Sequence, residues 1–243
     1  MAIHLYQLSE ELIFPHPNMT LDEPEGLLAF GGDLSVERLV LAYQHGIFPW
    51  YSEGEPILWW SPDPRMLLYP DKYHVSTSFR KFLRKTHFFV TLNKDFDAVI
   101  DACAHIPRND SGTWITEDMK NAYKALHKSG YAHSIEVWMD DSLVGGLYGV
   151  AVGTAFCGES MFHKATNASK LAMYCLVQHM KQHGGAFIDC QMHTPHLSSL
   201  GAMTVPKKQF LRELERSQKH SFYPDTWMEK IIFSRSKHNR LIY

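Results

Sequence analysis

Cysteine is scarce in this chain, and its few copies stand apart. Cys103, Cys157, Cys175 and Cys190 form no Cys-x-x-Cys pair in 243 residues. That excludes a disulfide framework or zinc ribbon and fits reduced thiols. Cys190, His193 and His196 could be grouped as metal ligands, but structural zinc takes four and no fourth is near in sequence. No metal is expected, and the fifteen scattered histidines read mostly as surface or loop residues. No apolar run reaches the length of a membrane span. The opening "MAIHLYQLSEELIFPHP" lacks the basic start and apolar stretch of a secretory signal. A cytoplasmic protein with no membrane partner is therefore expected. Neither charge sign is in excess: a formal net charge of −2 excludes a bulk polycation, so any nucleic-acid contact must come from a local patch. Internal repeats and low-complexity tracts are missing. So is the Gly-x-Ser-x-Gly of a nucleophile elbow, which removes Ser160 in "GESMF" as a hydrolase nucleophile.

What is present is a 45% hydrophobic chain, enough for a sizeable core. Residues 1–62 read as a small N-terminal α+β domain. "FPHPNMTLDEPEGLLAFGGDLS" is rich in Pro and Gly and reads as a structured loop. "SVERLVLAYQHG" reads as a helix, with Val36, Leu39, Val40 and Tyr43 on one side and Ser35 as cap. Residues 63–243 alternate helices and strands. "STSFRKFLRKTH" predicts a helix with Arg80, Lys81, Arg84 and Lys85 beside its apolar side; such a cluster is commonly a solvated face. "HFFVTLN" reads as a strand, "DFDAVIDACAH" as a helix, "IPRNDSGTW" as a loop, and Thr116 as the cap of "EDMKNAYKALHKS". Three strands follow, with tight turns at Asp140-Asp141 and Gly153. A long helix over "NASKLAMYCLVQHMKQHGG" has Asn as cap and Gly as stop. Then come the strand "AFIDCQ", a short helix with Pro195 at its first position, and the last clear helix "PKKQFLRELERSQ".

This order resembles the N-acetyltransferase (GNAT-type) α/β fold, in which a curved mixed sheet opens a cleft between central strands. Its coenzyme A pyrophosphate turn would fall on "FHKATNASK", which holds no glycine for a backbone phosphate cradle. Coenzyme A is therefore disfavoured, and no cofactor is expected. Asp189 is the least ordinary residue: an acid inside an apolar strand needs a partner or a task. With period-two alternation, Asp189 and Gln191 are expected on one face, toward the cleft. Trp50 and Trp114 sit beside Gly, Pro or Thr in loops, where large aromatics serve sites. Trp59-Trp60 reads as packing.

Together "EPEGLLAFGGDLSVERLVLAYQHGIFPWYSEGEPILWWSPDPR", "GTWIT", "AHSIEVW", "LVGGLYGVAVGTAFCGESMF", "NASK" and "IDCQ…H…SLGA" resemble the leucyl/phenylalanyl-tRNA–protein transferase family over nearly the whole chain. The resemblance implies transfer of Leu or Phe, less readily Met, from Leu-tRNA or Phe-tRNA to proteins with N-terminal Arg or Lys. The products feed the bacterial N-degron pathway, and a monomer is expected. It places Asp189, Gln191 and Glu159 at the reaction centre and Trp50 and Trp114, with Tyr43, around the aminoacyl-adenosine. It gives the amino-acid pocket to Leu147, Phe156, Met173 and Leu176, and tRNA to Arg80, Lys81, Arg84 and Lys85. "MHTPHLSS" departs from the family's "LNDHTAS" version, so His193, Thr194 and Pro195 receive no role. A tRNA-binding module without chemistry and an acetyl-CoA-dependent acetyltransferase are the alternatives.

Overall fold

The computed structural model describes residues 5–106, 113–235 and 241–242. The loop expected over 106–114 lies partly outside them. The first sixty residues hold β1 (Tyr6–Leu8), β2 (Leu27–Gly31), α1 (Val36–Gln44), β3 (Phe48–Pro49) and β4 (Leu58–Trp60), with a four-stranded sheet in the order β1-β2-β4-β3. The Pro/Gly-rich stretch read as loop thus contains a strand. "LLAFG" pairs on both sides, parallel to β1 and antiparallel to β4, and this partnership outweighs its flanking turn residues.

The remainder runs β5 (Arg65–Leu68), α2 (Thr77–Leu83), β6 (Phe89–Leu92), α3 (Phe96–Ala104), α4 (Glu117–Lys128), β7 (Ala132–Met139), β8 (Ser142–Val152), β9 (Ala155–His163), α5 (Ala168–Gln182), β10 (Ile188–Gln191), α6 (Pro195–Ser199), β11 (Met203–Val205), α7 (Lys207–Ser217), β12 (Lys230–Arg235) and β13 (Leu241–Ile242). Its strands form one mixed sheet, ordered β11-β5-β10-β9-β8-β7-β6-β12-β13. The expected strand, helix and turn signals fall where read. Thr116 accepts from the Met119 N–H, Pro195 opens α6, and Asp140 and Gly153 have positive φ. Gly153 is required twice over: its φ is +57°, and a Cβ there would lie 2.3 Å from the Ser217 carbonyl oxygen. Three readings change. The helix over "STSFRKFLRKTH" ends at Leu83, with Arg84 as its C-cap residue, so Lys85 lies beyond it. Asn167 precedes α5 in the left-handed region at φ +67°, and its side chain makes no capping bond. His133 and His179 are buried rather than superficial, the first stacked on Trp227 and the second tilted against it.

Adjacent β8 residues face opposite cores. Tyr148 and Val150 pack with α1, α3, α4, α7 and the N-terminal sheet, while Leu147 packs with α2 and α5. The first core runs without a break from Leu28, Leu39 and Trp59 to Phe96, Tyr123 and Phe210. Each such large apolar side chain contributes about 1.5–3 kcal/mol on burial.

One pairing positions the site. The parallel strands β9 and β10 meet at only two positions, Phe156 with Ile188 and Cys157 with Asp189. Beyond them β9 continues beside β8 to His163, while β10 bulges between Asp189 and Gln191 and follows β5. The expected cleft between central strands opens there.

Candidate active site

A cavity of about 390 Å³ fills this opening. One wall is β9, from Gly158 to Met161; the other is Ile188, Cys190, Gln191 and Met192, closed by His196 and Leu197 of α6. Leu147, Met173 and Leu176 form its apolar end, and Trp50 and Trp114 stand at its edge with Phe48 and Pro49. Trp60 donates its Nε1–H to the Trp50 carbonyl at 2.7 Å and meets the Trp50 ring edge-on at 5.5 Å. Trp50 keeps 39% of its surface exposed. Trp59 is fully buried, as packing.

Asp189 does not face the cleft, contrary to expectation. Ile188 and Cys190 face the cavity, and Asp189 turns the opposite way, with none of its surface exposed. Its Oδ1 accepts from Arg65 Nε at 2.9 Å and its Oδ2 from Arg65 Nη2 at 2.7 Å. Gln191 nonetheless reaches the cavity, because the bulge breaks the period of two. Its φ of +62° lies in the left-handed region, and its N–H donates to Asp189 Oδ1 at 2.9 Å. The acid and the amide are thus joined through the backbone, on different faces.

Gln191 Nε2 donates to Glu159 Oε1 at 2.9 Å. Glu159 Oε2 accepts from the Tyr123 hydroxyl at 3.0 Å, and Tyr123 bonds in turn to the Tyr43 hydroxyl. Tyr43 is not among the residues that line the cavity; its side chain, on α1, is buried, and its hydroxyl acts on Glu159 beside that of Tyr123. Burial pushes the Glu159 carboxyl up to about 7, assisted by the charge of Asp189 and opposed by the tyrosine hydroxyls and Arg65. Burial also holds both tyrosine hydroxyls well above their usual range. Phe156 is a second correction. It lies on β9 before the strands part, buried, with its ring stacked on Trp227 at 5.3 Å, and it does not reach the cavity. Arg80, Lys81, Arg84 and Lys85 are exposed and outside the cavity lining.

Arg65 and Tyr123 were not singled out from the sequence. Arg65 did carry a signal: like Asp189, it is a charge in an apolar run, "RMLLY". Tyr123 looks like any core residue of an amphipathic helix.

The family profile described as leucyl/phenylalanyl-tRNA protein transferase matches residues 67–215, and that of its N-terminal domain matches residues 32–63. A protein of that name from Pseudoalteromonas atlantica is 58% identical over 228 residues, covering 94% of this chain and 97% of its own. Its namesake from Pectobacterium carotovorum is 55% identical, covering 93% and 96%. That of Salmonella typhimurium is 50% identical, covering 95% and 98%. Among solved structures, a GCN5-related N-acetyltransferase from Kribbella flavida is 13% identical with a TM-score of 0.36, covering 69% of this chain and 59% of its own. A likeness that weak adds nothing to the sheet topology described above. Near full-length identity of this order settles kinship: the chain belongs to the leucyl/phenylalanyl-tRNA–protein transferase family and is an aminoacyltransferase.

Proposed function

We propose that the protein moves Leu or Phe, less readily Met, from its tRNA to the α-amino group of proteins beginning with Arg or Lys. It does so as a cytoplasmic monomer that feeds the N-degron pathway. The observation that carries this reading is one cavity joining an apolar end, an amide–carboxylate pair and two edge tryptophans. Leu147, Met173 and Leu176 take the apolar side chain of the donor. They hold no charge, and apolar sites separate similar shapes by only about 1–3 kcal/mol, so Leu, Phe and Met share them. A four-stranded sheet within 6–60 and a nine-stranded sheet beginning at Arg65 support a small N-terminal domain over 1–62 and a catalytic domain over 63–243.

The donor ester is already activated, so the protein mainly holds amine and ester in line, worth up to about 7–11 kcal/mol. The amine nitrogen bonds to the ester carbonyl carbon, the bond between that carbon and the ribose oxygen breaks, and the ribose oxygen leaves with a proton. An acceptor that enters as ammonium gives up one more proton. With Nε2 engaged by Glu159, Gln191 presents Oε1 to accept from the amine. Glu159, near 7, is matched to an α-amino group of about 7.7–8.0. It carries the negative charge for a cationic first residue. Asp189 touches no substrate in this reading and acts on Gln191.

The test is incubation with Leu-tRNA labelled in the amino acid and a peptide beginning with Arg. Label on the peptide supports the reading. Donor binding without transfer, or dependence on acetyl-CoA, overturns it.

Two expectations follow for the donor. Trp114→Ala removes a stacking surface worth about 1–3 kcal/mol. It should weaken a short aminoacyl-adenosine analogue and whole tRNA alike; unchanged analogue affinity in folded protein counts against the assignment. Neutralising Arg80, Lys81, Arg84 and Lys85 should weaken whole tRNA and flatten its salt dependence while sparing the analogue. Equal losses for both donors would make the cluster structural.

A further inference from the structure

We propose that Arg65 is a positioning residue for the transfer reaction, holding Asp189 in the one orientation that keeps Gln191 turned toward Glu159. The inference rests on the function proposed above and concerns a residue outside the cavity lining.

The geometry is a short chain of single contacts. Arg65 opens β5, between β11 and β10, and is 1% exposed. Its guanidinium lies between two rings, 5.0 Å from the centroid of Phe48 and 4.5 Å from that of Phe210. This sandwich fixes the guanidinium plane. In that plane Nε and Nη2 grip both oxygens of Asp189. Asp189 is left one way to sit, and Oδ1 meets the Gln191 N–H. A non-glycine residue at φ +62° persists only where its surroundings hold it there, and beside the pairing with Met66 of β5 this N–H bond is what holds Gln191. Without it the bulge keeps only its pairing with β5, and the Gln191 amide loses the bond that aims it at Glu159.

The clamp also ties the reaction centre to distant parts of the chain. Phe48 belongs to β3 of the N-terminal sheet and Phe210 to α7. Arg65 Nη1 is buried without a hydrogen-bond partner among the described residues, and Asp189 is the only carboxylate with which Arg65 pairs there. The pair is therefore one-to-one. Removing one charge strands the other, and removing both strands neither.

The experiment compares wild type, Arg65→Lys, Arg65→Met, Asp189→Asn and the double variant Arg65→Met/Asp189→Asn. The readouts are single-turnover transfer to an Arg-peptide, Leu-tRNA affinity, and hydrogen exchange of the Gln191 amide. Lysine keeps the charge but cannot grip two oxygens in one plane. Arg65→Lys is expected to lose about 10- to 100-fold in transfer, with tRNA affinity within about twofold and Gln191 exchange at least about tenfold faster. The double variant is expected to transfer at least about tenfold faster than Arg65→Met, because the Asn carbonyl still accepts the Gln191 N–H and no charge is stranded. If Arg65→Met does not fold, the double variant is compared with Asp189→Asn, which it should equal or exceed. Arg65→Lys transferring at the wild-type rate, unchanged Gln191 exchange, or a double variant no faster than its comparator would overturn the proposal. Failure of the wild type itself to move label overturns the functional reading instead, and Gln191 exchange then still decides the positioning role.

Discussion

Asp189→Ala is expected to be the most damaging single change at this site. It strands the Arg65 guanidinium, 1% exposed between two rings, and breaking a buried ion pair from one side costs about 3–5 kcal/mol. It also removes the acceptor for the Gln191 N–H, so what folds should transfer at least about 100-fold more slowly in a single turnover. Asp189→Asn keeps the shape and one acceptor oxygen and should fall between alanine and wild type. Leu-tRNA binding should survive in both, because the residues assigned to the donor lie on other elements. Urea unfolding and single-turnover transfer to an Arg-peptide check this. An Asn variant as slow as the Ala variant, both folded and both binding donor, would mean that Asp189 acts through its charge on the reaction itself.

The second large effect is expected from pH, through Glu159. Burial raises its carboxyl from 4.5 to about 7, so the folded protein holds this proton more tightly than the unfolded chain. The associated stability is fully present below about 4.5 and is lost as pH rises through about 7, on the order of 3 kcal/mol in all. His133 and His179, lowered by burial to about 3, work the other way: stability is lost as pH falls below about 6.5. The difference between wild type and Glu159→Gln therefore isolates the carboxyl. Relative to Glu159→Gln, the wild type should lose urea stability between pH 5 and 8, and its transfer rate should gain a limb near 7 that the variant lacks. Parallel curves for the two proteins would remove Glu159 from both roles.

The order of elements from α2 to α7 and most helix ends were legible because their signals are local. Thr116, Pro195, Asp140 and Gly153 act within a few residues of themselves, whatever surrounds them. "LLAFG" and "RMLL" were not read as strands, because their warrant is a partner far along the chain. The site divided the same way. Leu147, Met173, Leu176, Trp50 and Trp114 all reach the cavity, but Phe156 and Tyr43 do not, since lining depends on where β9 leaves β10. The alternation argument failed at Gln191, because a bulge cannot be seen in "IDCQ", and the face left to Asp189 is the one away from the cavity. The question that acid raised was still the right one. A second lone charge in an apolar run, Arg65, was there to be matched with it by sign.

The two residue pairs that join β9 to β10 leave a seam through the middle of the nine-stranded sheet. On one side the cavity wall belongs to β8 and β9, on the other to β10 and α6, with β5 beside β10. At the cavity the halves meet through side chains, Gln191 Nε2 on Glu159 Oε1, while Met66, Leu68, Phe156 and Ile188 share one apolar cluster. A slot with one jaw on each side of such a seam has few backbone bonds that set its width. A branched aliphatic chain and a flat aromatic ring differ mainly in the width they demand. Under the function proposed above, the sparse pairing would let one pocket take donors of both shapes.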